Sequence, residues 1–180
     1  MFQEEDFKWC FNRYNGFFVP VFDNNGYIQG LSIHLDKPFN NSEDIWFSSN
    51  GKINGTATKN YIMKSNITHN TTNVILTDSF ILGHLIKDAL NLPIISFQNI
   101  SNSYMILNEI QNTNIRNITF IIRTPNCNNN LDYIINRIFR DLLPLGYNID
   151  TKCILNYNDI FNLDFFDNSF RCNNILVKTI

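Results

Sequence analysis

The sequence is short of charge. Acidic and basic residues make up 17% of it, against about 25% in an average soluble protein. The 14 Lys and Arg are scattered, and 16 Asp and Glu leave a formal net charge of −2. With no basic block, a strongly cationic nucleic-acid binder is disfavoured, although a local basic groove stays open. Cysteine is sparse too: Cys10, Cys127, Cys153 and Cys172 lie far apart with no C-x-x-C pair. That argues against a four-thiolate metal site or a disulfide framework, and for free thiols in a reducing cytoplasm. Long apolar runs are missing, the best being Ile118 to Ile122, which suits a strand and not a membrane span. The first residues, Met1-Phe2-Gln3-Glu4-Glu5-Asp6, are acidic where a secretory signal would be basic.

Several motifs are also missing. Neither G-x-x-x-x-G-K-S/T nor G-x-G-x-x-G occurs, so a standard nucleotide-binding loop is not expected. Ser48, Ser79 and Ser96 have no G-x-S-x-G context, which disfavours a hydrolase triad. His34, His69 and His84 share no spacing that signals zinc, and read as surface or satisfied core residues.

What is present is apolar, aromatic and rich in amides. Hydrophobic residues make up 44% of the 180 and include 16 Phe, enough for the core of one domain, or one domain plus a small lobe. Asparagine is abundant, with about 30 copies where an average chain carries roughly a quarter of that. The Asn- and Ile-rich composition reads as AT-biased coding, and the several Asn-x-Ser/Thr triplets are expected by chance.

The first third reads as an antiparallel β-meander. Gly16 to Phe22 is an apolar strand, and Asp23-Asn24-Asn25-Gly26 is a tight turn whose glycine supplies positive φ. Tyr27 to Leu35 alternates as the return strand, and Ile45 to Ser48 forms a third. From residue 73 the pattern becomes strand, helix, strand, helix. Strands are expected at Val74 to Thr77, Ile94 to Phe97, Ile118 to Ile122 and Thr151 to Leu155. Helical spacing links Leu82, Leu85, Ile86 and Ala89, then Ile106, Leu107 and Ile110 after Ser103, then Leu131, Ile134, Ile135, Ile138 and Leu142. The expectation is an α/β fold, α+β overall. A β-meander lobe (1–72) precedes a parallel sheet flanked by helices (73–167), and a tail (168–180) holds a possible edge strand at Ile175-Leu176-Val177. In such a sheet ligands sit at the carboxyl ends of the strands. Attention therefore falls on Asp78, on the Arg123 to Asn130 loop and on Asn156 to Asp167.

These residues carry a resemblance. A β-meander and Trp46-Phe47-Ser48-Ser49, with Gly51 and Asn54-Gly55-Thr56, precede a strand ending in Thr77-Asp78-Ser79. Alternating β/α units follow, then a late acidic segment from Asn158-Asp159 to Asp164 and Asp167. Over roughly residues 16 to 167 this resembles the Toprim-like, primase-associated domains of phage and plasmid replication proteins. The resemblance implies a Thr-Glu-Gly at the end of strand one and an Asp-x-Asp at the end of strand three, where carboxylates hold magnesium. Mg²⁺ takes hard oxygen ligands and neutralises charge that develops during phosphoryl transfer. Here the first motif reads Thr77-Asp78-Ser79 and the second Arg123-Thr124-Pro125. An arginine cannot ligate Mg²⁺ and repels it, but it can pair with Asp78 or contact a phosphate.

The resemblance therefore implies a mobile-element module with degenerate catalytic motifs and no expected cofactor. It would bind a nucleic-acid-processing protein, or nucleic acid; a blocker of a host defence complex such as a CRISPR effector is one form of this. Arg123, Trp46, Ser48, Ser49, Lys52 and Asn54 are the candidate binding residues. Two alternatives stay open. One is an active Mg²⁺-dependent primase- or nuclease-type enzyme using Asp78 with Asp164 or Asp167, and the other is a docking fragment of a larger replication protein. Each candidate also has a plainer reading. Asp78 suits a helix N-cap, Arg123 a structural ion pair, and Asp164 and Asp167 a solvated loop. Tyr14, Phe17, Phe18, Phe22, Tyr27, Trp46 and Phe47 suit either a core or a stacking platform for single-stranded nucleic acid.

Overall fold

The computed structural model describes residues 2–3, 9–10, 15–40, 42–47, 61–98, 103–123, 136 and 140–154. Two two-residue strands, β1 (Phe2–Gln3) and β2 (Trp9–Cys10), pair antiparallel at the start. The meander follows as a three-stranded antiparallel sheet of β3 (Gly16–Phe22), β4 (Ile28–Phe39) and β5 (Ser42–Trp46). Its first turn forms as the sequence indicates. Asp23 Oδ1 accepts from the backbone N–H of Asn25 and of Tyr27, both at 2.9 Å, and Gly26 takes φ +84°. A side-chain acceptor in the turn and a residue without a Cβ at positive φ together close the hairpin.

Strand β4 runs longer than expected. It continues through Asp36-Lys37-Pro38 to Phe39, and its pairing with β5 skips from His34↔Asp44 to Phe39↔Ser42. The irregularity accommodates Pro38, which has no N–H to give to a ladder.

The second sheet has five strands, β6 (Met63–Ser65), β7 (Asn73–Thr77), β8 (Ile94–Ser96), β9 (Asn117–Arg123) and β10 (Asn148–Ile154), in the order β10-β9-β7-β8-β6. All neighbours are parallel except β6 on β8. The mixed α/β class is as read from the sequence. Strand β6, from residues assigned above to the amino-terminal lobe, belongs to this sheet. Helix α1 (Phe80–Leu90) joins β7 to β8, and α2 (Ser103–Gln111) joins β8 to β9. Of the helix expected over 131–142, residues 136 and 140–142 are helical and the rest lies outside the described residues, as does the edge strand expected at 175–177. A single 3₁₀ turn, Leu143–Leu145, leads into β10.

The parallel strands bury both faces, which explains their near-continuous Val/Ile/Leu content. On one face Val74, Leu76, Ile95, Phe97, Ile118 and Phe120 pack under Ile106 and Ile110 of α2. On the other, Ile75, Ile94 and Ile121 meet Phe80, Leu82 and Ile86 of α1, together with Val19 and Val21 from β3. The meander thus shares a core with α1. Helix α1 lies so close to the sheet that a methyl group at Gly83 would overlap the Ser96 hydroxyl of β8. No helix among the described residues is long and apolar enough to cross a membrane.

Candidate functional site at the carboxyl ends of the parallel strands

Leaving β7, the chain steps to β8 on one side, then crosses back over β7 to β9 and β10 on the other. The strand order therefore reverses between β7 and β9, the position where open α/β sheets bind ligands. Asp78 directly follows β7, and Arg123 is the last residue of β9. With Thr77 in register with Ile121, an acidic and a basic residue stand on neighbouring strand ends. Sequence reasoning singled out both, and the strand order makes their strands adjacent.

Asp78 is half-buried and is not the cap of α1. That role falls to Ser79, whose extended backbone (φ −140°, ψ 129°) aims Oγ at the Leu82 N–H, 3.3 Å away. The helix-cap reading of Asp78 is thereby corrected. Both residues lie between strand and helix, and it is Ser79 that occupies the cap position, its side-chain oxygen reaching the third helical N–H.

The meander reaches the same end of the sheet. Gln98, two residues past β8, donates from Nε2 to Ser32 Oγ of β4 at 3.2 Å, and Ser32 donates onward to Ile45 O at 3.1 Å. Trp46 sets its ring 5.4 Å from that of Phe80, the first residue of α1, and 6.1 Å from Tyr61. Two register pairs further along the meander, His34 Nδ1 donates to Asp44 Oδ1 at 2.9 Å, with both side chains about four-fifths buried. The ring of Phe17 lies 5.2 Å from that of His34. Beneath this layer Thr77 and Ser96, register partners on β7 and β8, are fully buried, and their hydroxyls have no hydrogen-bond partner among the described residues.

The described aromatic residues of this set are spread over different faces and environments. Phe17 and Phe18 are both about half exposed, but as successive strand residues they point to opposite faces. Tyr27 is exposed at the far hairpin tip. Phe22 takes the Lys87 ammonium 5.0 Å from its ring centre and the edge of His84. Phe47 packs edge-on against Phe18, and Trp46 is used in the packing described above. Tyr14 lies outside the described residues. His84 Nε2 donates to Pro20 O at 2.7 Å, fixing its tautomer, and His69 is exposed with its carbonyl accepting from Asn114. Sequence spacing did not flag the His34–Asp44 pair, because its partners are ten residues apart and meet only through the β4–β5 register.

Ser48, Ser49, Lys52, Asn54, Asp164 and Asp167 lie outside the described residues, as does the side chain of Arg123. Among the described residues no three His, Cys, Asp or Glu side chains come together as a metal site. Compared with protein-family models, with curated proteins and with solved structures, the chain matches none.

Proposed function

We propose that the chain is a Toprim-like module of a mobile genetic element that acts by binding and not by metal-dependent catalysis. Its partner is a nucleic-acid-processing protein in preference to bare nucleic acid, and blocking a host defence complex is one use such a module serves. The observation that carries this reading is the charge at the strand-order reversal. Where the resembled family places Asp-x-Asp, this chain has Arg123-Thr124-Pro125, and Arg123 ends the strand that pairs with the one Asp78 follows. A guanidinium there disfavours a bound divalent cation and favours a carboxylate or phosphate partner. The net charge of −2 supports a protein partner, because a nucleic-acid binder draws most of its affinity from phosphate neutralisation.

The test is affinity capture from a host lysate, with and without nuclease, using the wild type and Arg123→Glu at matched stability. The reading expects a nuclease-resistant protein partner that the variant loses. No such partner, together with no nucleic-acid binding at low salt, would remove its basis.

A second reading, an Mg²⁺-dependent phosphotransfer enzyme using Asp78 with Asp164 or Asp167, draws support from one observation. Asp78 directly follows β7 at the strand-order reversal, the position where open α/β sheets bind ligands. This reading requires metal-dependent activity that Asp78→Ala abolishes.

A further inference from the structure

We draw no further inference here: the strongest candidate, the cross-strand His34–Asp44 pair at the end of the meander near the carboxyl ends of the parallel strands, is accounted for as a side-chain contact between neighbouring strands, and no third metal-ligating side chain among the described residues joins it.

Discussion

Asn24 holds the Ile67 peptide with both ends of its side-chain amide: Nδ2 donates to Ile67 O at 2.6 Å, and Oδ1 accepts from Ile67 N at 3.0 Å. The contact ties the first hairpin turn to the loop after β6, across 43 residues of sequence. Only an uncharged amide offers a donor and an acceptor side by side in this way. Asn24→Asp keeps the acceptor but sets a carboxylate oxygen against the Ile67 carbonyl oxygen. We expect it to cost about 1 to 2 kcal/mol, read as a lower denaturant midpoint at unchanged slope. An unchanged midpoint would show the clasp to be energetically idle.

Asn91 ends α1 in the left-handed region at φ 51°, and its N–H bonds to Lys87 O at 2.8 Å. Asn40 and Asn66 also take positive φ, and among the described residues these three are the non-glycine positions that do so. Asparagine tolerates this region better than most side chains. Asn91→Gly should be neutral or slightly stabilising, whereas Asn91→Ala should cost about 1 kcal/mol. Equal effects of the two in thermal unfolding would contradict the account.

Gly83 is required by contact and not by torsion. Gly83→Ala drives a methyl group into the Ser96 hydroxyl and should destabilise by roughly 1 to 3 kcal/mol. Ser96→Ala in the same chain should recover part of that loss. A double-mutant cycle gives the coupling directly, and additive effects would show that α1 shifts freely on the sheet.

Thr77 is fully buried, and its hydroxyl has no partner among the described residues. Thr77→Val keeps the shape and removes a group with nothing to bond, so it should be neutral or stabilising by about 1 kcal/mol. A clear loss of stability in calorimetry would mean that the hydroxyl is satisfied in solution.

The local turns and the strand–helix alternation were legible in the sequence, while the pairing was not. Asp23 to Gly26 announces its turn, Pro93 places the end of α1, and the runs at Val74, Ile94 and Ile118 are the strands. Strand β6 escaped because Met63-Lys64-Ser65 is too short to show a period. Its burial comes from pairing with β8, and Lys64 is satisfied by Glu109 of α2 at 2.8 Å. Alternation alone gives parallel strands with right-handed crossovers. It does not say that β9 returns past β7, and that return is what brings Asp78 and Arg123 to adjacent strand ends. The asparagine content, which as composition looked like coding bias, has structural uses as well. Beyond Asn24 and Asn91, the side chains of Asn148, Asn117 and Asn73 form a ladder over three parallel strands, with hydrogen bonds of 2.9 and 2.7 Å. These roles emerge only from register, so no linear pattern announces them.

The central claim is that the carboxyl end of this sheet binds a partner and does not hold a catalytic divalent cation. Titration of the purified chain with Mn²⁺, followed by electron paramagnetic resonance, tests it most directly, with Asp78→Ala as the comparison. The account predicts no saturable Mn²⁺ site that depends on Asp78. It also predicts that restoring the acids through Arg123→Asp with Pro125→Asp creates one. A saturable site in the wild type that disappears in Asp78→Ala would contradict it.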